Sequence, residues 1–529
     1  MTHHDVAIVG SGFAGSILAR ALNRRGRRVL LLERGQHPRF ALGESTTPLA
    51  NLALERLAAS YDLPDLRHLS SHGRWLRHLP QLRRGLKRGF TFFHHRRGVP
   101  YRNSARNEAR LLVAASPDDE IADTHWLRHD VDHHLVRRAV AEGVDYRDHT
   151  LVEGVEISDR GVRLAARCRG QRQRFNAEVV VDGSGPAGFL AHCLGIAEHH
   201  DRIPFASGLL SAHFDRVHPL ADLVDLEPGP YPDERAAVHH LLDIGWLYAL
   251  PFDHGPVSAG LVLRHEADLP NPMLQDDPAT AWRSLLGAYP SLAQQFADAR
   301  PITELRWTPR LQHRLDRAAG ERWFLLPHAY AFYDPMFSTG MAWSLLAAER
   351  LALLLTDGPG DPQQYEVLLA AEADRIEHLI ETAYLTLDDF DRFVAVTLLY
   401  FATVSFAETT QRLLDPPEGD LPHAWQPFLA AAEAHSTLFR DARDRLRRDR
   451  TTLPGTRDPA TRSTSAAPMD FHRWARRRIA PFDVAGFGDA DRQNLYPVDL
   501  DVLVDRAPLL GLTRDRLRAR LPRLRGQIG

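Results

Sequence analysis

The sequence predicts an α/β fold with a parallel sheet, an inserted antiparallel sheet and a helical C-terminal region. Three observations predict it. A strand, a glycine-rich turn, a helix and a second strand follow one another over residues 5–34. Apolar and polar residues alternate in stretches over 150–180 and 200–265, the pattern of half-buried strands. Helical periodicity then runs over 360–447. At 529 residues, with 44% hydrophobic and 25% charged content, the chain can bury a large core. A net charge of −3 leaves no surplus for a polyanion and points away from a nucleic-acid partner.

In DVAIVGSGFAGS (5–16), an apolar strand runs into Gly10, Gly12 and Gly15 in G-x-G-x-x-G spacing. A helix presenting Ile17, Leu18, Ala21 and Leu22 follows, Gly26 ends it, and VLLLE closes on Glu33. This is the dinucleotide-binding, Rossmann-like fingerprint. The first two glycines permit a tight turn beside a pyrophosphate, and the third lets helix and strand pack closely. The positive helix end faces the phosphates, and Glu33 is placed for the ribose hydroxyls. An acid there does not choose between FAD and NAD. Two further stretches favour FAD, by resemblance to flavoprotein monooxygenases. AEVVVDGSG (177–185) is a strand ending at Asp182, followed by Ser184 and Gly185. WLRHDVDHHLVRRAVAEGVD (126–145) is a helix carrying Arg128 where a flavin-contacting polar residue often sits.

Three stretches narrow the family. ALGESTTPLANL (41–52) reads as a loop entering a helix. DIGWLYALPFDHGPVSAGLVL (243–263) reads as two strands and a polar turn. FYDPMFSTGMAWSLLAAERLALLL (332–355) reads as a loop feeding a long apolar helix. Together they resemble the flavin-dependent halogenases, with their G-E-[SA]-T-x-P, W-x-W-x-I-P and D-P-x-x-S-[ST]-G segments, over residues 5 to about 400. The resemblance implies an aromatic-hydroxylase type FAD domain that takes reduced FAD, O2 and chloride or bromide. It implies that Ser45, Thr46, Trp246 and Asp334 lie at the cofactor with the fingerprint residues. Ser338, Thr339 and Gly340 would bind halide, and as a helix start they offer N–H groups suited to an anion.

One lysine stands among 65 Lys and Arg residues: Lys87, in LKRGFTFF (86–93). The family carries an essential lysine in a K-x-G-x-x-F setting after its GESTTP helix. Flavin hydroperoxide there yields hypohalous acid, which the lysine holds by a hydrogen bond or carries as a haloamine. A guanidinium stays protonated, whereas a desolvated ammonium can lose its proton. Lys87 is therefore the expected catalytic residue.

The chain departs from the family pattern in three places. Tyr248 and Leu250 replace the second tryptophan and the isoleucine of the middle motif. Pro327-His328 stands where a Gly-Asp pair is usual. Phe337 precedes Ser338 where tryptophan halogenases carry a glutamate, which points to a phenol- or pyrrole-like ring. Two other readings use the same residues: a flavin monooxygenase or dehydrogenase on this fold, and an inactive flavin-binding scaffold.

The remaining expectations are architectural. Residues 1–355 form the core with its interleaved sheet, and 356–529 form a helical region placed to cap a pocket, with a mobile loop over about 448–468. Residues 53–106 are read as helical, basic and aromatic, beside the active site or docking an acidic carrier protein. No second nucleotide fingerprint is present, so a separate flavin reductase is implied. The substrate is a small aromatic, free or carrier-bound. Cys168 and Cys193 form no CxxC pair, no metal site is expected, and most of the 28 histidines are read as solvated. The N-terminus lacks the cationic and apolar regions of a signal peptide and no membrane span is expected, so a cytoplasmic location is expected.

Overall fold

The computed structural model describes residues 3–267, 271–356, 361–415, 422–430, 435–451 and 467–524. Its parallel sheet is ordered Trp323–Leu325, Gln171–Asp182, His3–Val9, Val29–Leu32, Asp145–Arg147. His3–Val9 and Val29–Leu32 are buried almost throughout, as strands covered on both faces must be. Helix Phe13–Arg24 follows the fingerprint turn, and helix Arg128–Ala141 packs beside it. The alternation over 150–180 forms a meander, Thr150–Ser158, Gly161–Cys168 and Gln171–Asp182, whose last strand joins the parallel sheet.

Among the described residues the inserted sheet has nine strands. Ser207–Asp215, Val257–Arg264, Gly245–Pro251, Ala237–Leu242, Gly89–His94 and Arg110–Ala114 are neighbours in that order. The helical expectation over 53–106 holds as far as His78 and then fails: Arg84–Lys87 and Gly89–His94 are strands. The aromatic run Phe90-Thr91-Phe92-Phe93 fits a pleated surface, and its pairing with Ala237–Leu242 outweighs the local arginines. Lys87 therefore sits at a strand end, opposite Asp123 of strand Asp123–Trp126.

Several histidines expected in solvent are buried. His95 and His240 share a 2.9 Å hydrogen bond, and His125, His213 and His239 are enclosed among sheet residues. Of the loop expected over 448–468, residues 448–451 and 467–468 are helical, and the rest lies outside the described residues. Helix Phe390–Leu413 is long and apolar enough to cross a membrane, and 72% of its most apolar window is buried within the fold.

The C-terminal helices share one apolar core with the parallel sheet, which runs from Val6 through Leu345 to Phe393 and Phe471. A buried ion pair ties them together. Arg350, on helix Thr339–Leu354, donates through Nη1 and Nη2 to Glu372 of helix Pro362–Tyr384, each at 2.8 Å. Trp343 Nε1 and the Phe428 amide also donate to Glu372, and Arg350 Nε donates to Ala424 O. Both side chains are fully buried. Replacing one partner of such a pair leaves an uncompensated charge, so Glu372→Ala should lower the unfolding free energy by about 3–5 kcal/mol in chemical denaturation.

Candidate active site

Two cavities flank one wall. The first, of about 920 Å3, starts at the fingerprint turn and runs past Arg128, Trp246 and Tyr248 to the Asp334–Gly340 loop. Gly10 has a φ of +104°, and a Cβ there would lie 2.3 Å from Gly183 O, so only glycine lets this turn meet the loop after Asp182. Arg128 is held by Asp132 at 2.8 Å and by the carbonyls of Leu42 and Gly43, with its guanidinium over the Phe13 ring. Trp246 and Tyr248 alternate on one strand, so both face the same side. The Trp246 indole nitrogen is buried, makes no well-aligned hydrogen bond, and favours the nearby Asp334 carboxylate.

This cavity fits a flavin dinucleotide: a phosphate-binding turn at one end, a guanidinium beside it and an aromatic wall at the other. Gly12, Gly15, Ser45, Arg128, Gly185, Trp246, Asp334, Ser338 and Gly340 line it as expected from the sequence. Five residues do not. Gly10 and Thr339 contribute no lining of their own beside Gly12, Ser338 and Gly340. Glu33 accepts from the Ser11 amide and hydroxyl and from Gly35 N. Burial opposes its charge, but Arg39 and these hydrogen bonds outweigh burial and hold the carboxyl below its usual range. Asp182, fully enclosed, accepts from the amides of Ser184 and Leu190 at 2.8 Å and so shapes the loop rather than facing the cavity. Burial pushes its carboxyl up despite those bonds. Thr46 turns away, its hydroxyl donating to Thr124 O at 3.0 Å.

The Asp334–Gly340 loop closes this cavity. Burial pushes Asp334 up to about 7, against a 2.6 Å hydrogen bond from Tyr384 and one from the Met336 amide. Ser338 adopts φ +51° just before helix Thr339–Leu354. A Cβ at Gly340 would lie 2.8 Å from His328 Nε2, so His328 crowds the helix start. Its Nδ1 lies 3.0 Å from Ser344 Oγ, and burial followed by Arg128 pushes it down to about 4. The residue in the usual Gly-Asp place is thus an uncharged imidazole on the cavity wall.

The second cavity, about 450 Å3, is mostly apolar. Helix Phe390–Leu413 supplies Tyr400, Phe401, Val404, Ser405, Glu408 and Thr409, one stripe at helical spacing. Phe487, Leu503 and Leu521 of the C-terminal segment close it. Phe337 packs on Tyr400 at 4.7 Å, and the Tyr400 hydroxyl donates to Phe337 O. The sequence pattern around 390–413 shows a core helix and no sign of this stripe.

The wall between the cavities is built from GESTTP and the inserted sheet. Ser45 lines the first cavity, and Thr47 and Pro48 line the second. Thr46 lies between them, and its carbonyl accepts a 2.6 Å hydrogen bond from Lys87 Nζ. The ammonium is 0% exposed and lies 4.0 Å from the centre of the Phe90 ring. Burial pushes Lys87 down to about 7, with Asp123 opposing. Phe90 faces the second cavity, and His239, stacked on it at 5.7 Å, faces the first. His239 also stacks on Trp246 at 5.2 Å. Burial and the neighbouring Lys87 push it down to about 3, so it is neutral. Neither His239 nor Asp123 was marked by the sequence, since both reach the wall through strand register.

Comparison with known proteins agrees with this geometry. Residues 8–55 match the NAD(P)-binding Rossmann-like domain, and residues 122–393, more than half the chain, match the tryptophan halogenase family. The chain belongs to the flavin-dependent halogenases, enzymes that halogenate aromatic substrates. It is 28% identical to monodechloroaminopyrrolnitrin halogenase PrnC of Pseudomonas fluorescens, over 83% of this chain and 80% of that one. It is 31% identical to tetracycline 7-halogenase of Kitasatospora aureofaciens, over 66% of this chain and 64% of that one. Its fold matches that of halogenase PltM in complex with phloroglucinol and FAD, with a TM-score of 0.80 at 22% identity, covering 93% and 99% of the two chains.

The Gly10 contact yields a direct test. Gly10→Ala must separate the turn from Gly183, so FAD affinity should fall by at least about tenfold in a flavin fluorescence titration, while far-ultraviolet circular dichroism stays unchanged.

Proposed function

We propose that this enzyme halogenates a free, electron-rich, phenol-like aromatic held in the 450 Å3 cavity, with Lys87 carrying the halogen across the wall. The observation that carries this reading is the place of the ammonium, enclosed between a dinucleotide-shaped cavity and an aromatic-lined one. Reduced FAD, when bound in the first cavity, supplies hypohalous acid from O2 and halide. The amides at Thr339 and Gly340 would hold the halide at the helix start. Trp246, His239 and Phe90 form a stacked, water-excluding partition, so the reactive molecule meets Lys87 before solvent. Transfer to the ring forms a C–X bond, breaks the bond between halogen and its carrier, and releases the ring proton.

On the substrate side the acceptor is Glu408. It takes one hydrogen bond from Arg412 Nε at 2.7 Å, and its carboxylate borders the cavity. A phenolic hydroxyl donating there would gain ring electron density. This favours an activated ring and needs no carboxylate at position 337, where Phe337 stands. Closure by Leu503 and Leu521 suits a small molecule that enters whole rather than a carrier-bound arm. A separate flavin reductase supplies reduced FAD in this reading.

Lys87→Met should lower aromatic halogenation by about 100- to 10,000-fold, while a soluble hypohalite trap still reports oxidised halide. Full retention of halogenation would overturn the assignment. The uncharged amine is the form able to take halogen. With Lys87 near 7, single-turnover halogen transfer should therefore rise between pH 6 and 8 and level off above. Ser405→Trp should fill the second cavity, cutting kcat/KM for the aromatic by at least about tenfold with FAD affinity unchanged. Loss of FAD affinity instead would show that the cavities are assigned the wrong way round.

A further inference from the structure

The lysine in the wall has a partner that the sequence pattern does not mark. Lys87 and Asp123 stand opposite each other in the antiparallel pair Arg84–Lys87 and Asp123–Trp126, so their side chains leave the same face. Both are buried. Asp123 Oδ1 accepts a 2.7 Å hydrogen bond from Asn51, on the helix that follows Thr46, and Oδ2 is buried without a protein partner. A polar cavity of about 40 Å3 reaches Asp123 and is bordered by Asn51, Ser70, Glu55, Arg412 and Glu408. That volume admits water, which needs roughly 10–15 Å3 on this measure and several polar neighbours. Glu408 borders both this cavity and the aromatic one.

Resting on the function proposed above, we propose that Asp123 is the positioning residue of Lys87: its carboxylate stands opposite across the strand pair, outside ion-pair contact, and sets by its charge how readily the ammonium gives up a proton. When the ammonium gives up its proton, the amine and the released proton account for the charge, and the Asp123 carboxylate raises the pH at which this happens. The free pair on nitrogen can then attack the halogen of hypohalous acid, forming an N–X bond and releasing hydroxide, which takes the amine's proton to give water. When the ring is substituted, the C–X bond forms, the N–X bond breaks, and the ring proton restores the N–H.

The surroundings leave Asp123 as the one charge that holds the proton on Lys87. Burial pushes Asp123 up to about 7 against the pull of Lys87, the same range to which Lys87 is pushed down. His125, on the strand of Asp123, and His239, on Ala237–Leu242, face Lys87 but are both pushed down to about 3 and stay neutral. From helix Phe390–Leu413, Glu408 and Arg412 face Asp123 with opposing effects. They are bonded to each other, and Arg412 also pairs with Glu55 at 2.7 Å, so no unopposed charge competes from that side. Burial pushes the Tyr400 hydroxyl above its ordinary range, with Asp123 adding to the effect, so it stays protonated and neutral.

The single lysine makes the test direct. Growth on lysine labelled with 13C at Cε gives one resonance, whose shift reports the charge of Lys87. In the FAD-loaded enzyme its midpoint should lie near 7. In Asp123→Asn it should fall by about 1–3 pH units, because the ammonium loses its counter-charge. The pH profile of single-turnover halogenation should move with it, while FAD affinity and trapped hypohalite stay unchanged. An unmoved midpoint in Asp123→Asn overturns the proposal. If that variant does not fold, Asn51→Ala replaces it: loss of the Oδ1 hydrogen bond disfavours the carboxylate and should move the midpoint the same way by less, and no movement overturns the proposal. An active Lys87→Met enzyme would instead sink the halogen-carrier reading and leave the coupling measurement standing, so the two failures are distinguishable.

Discussion

Enclosing one ammonium between two cavities constrains everything around it. A charge of that size loses several kcal/mol of hydration on burial, and a carbonyl, a ring face and a distant carboxylate repay only part of it. The neighbourhood must therefore be rigid enough to keep water out and polar enough to keep the group in place. Thr46 supplies the carbonyl because its own side chain is tied to Thr124. Phe90 supplies the ring face because strand Gly89–His94 is held between two others. Without these supports the lysine would reach solvent.

The same constraint explains why three strands of the inserted sheet converge on this wall. Ala237–Leu242 carries His239 to the wall, Gly245–Pro251 carries Trp246 and Tyr248, and Gly89–His94 carries Phe90 and Phe92. His239 stacks on Phe90, Phe92 and Trp246, which makes three strands act as one aromatic layer. An imidazole suits this place because it stacks like a ring yet can hydrogen-bond to Ala237 O within its own strand. Its neutrality matters too, since a second cation beside Lys87 would lower the pH at which the ammonium gives up its proton.

Local chemistry made much of this visible in the sequence, and long-range register hid the rest. The fingerprint turn, strand Gly245–Pro251 and helix Thr339–Leu354 were legible because glycine spacing, alternation and a capping loop act over a few residues. The segment after His78 was misread because its arginines and histidines suggested an exposed helix, while pairing with Ala237–Leu242 decided the outcome. Glu33 and Asp182 were placed at the cofactor by motif, and in the fold Glu33 accepts from Ser11 and Gly35 while Asp182 accepts from the amides of Ser184 and Leu190. Asp123 was invisible because its meaning depends on which residue of another strand stands opposite. The stripe on helix Phe390–Leu413 was hidden by the apolar residues that surround it on every face.

The contrast between the chain's arginines and its one lysine follows from the same physics. The deeply buried arginines are locked in multidentate pairs: Arg20 with Asp65 and Glu142, Arg110 with Asp233, and Arg350 with Glu372. A guanidinium gives such pairs planar, directed hydrogen bonds and never titrates, so it is suited to holding elements together. Lys87 has no bidentate partner and no second strong acceptor. An arginine in its place would keep a fixed charge and seek a carboxylate, and Asp123, with one oxygen unpartnered, would lock it. A lysine at the same spacing leaves the two groups outside ion-pair contact, and its ammonium can lose a proton where a guanidinium cannot. The residue type least suited to building this fold is the one its wall can use.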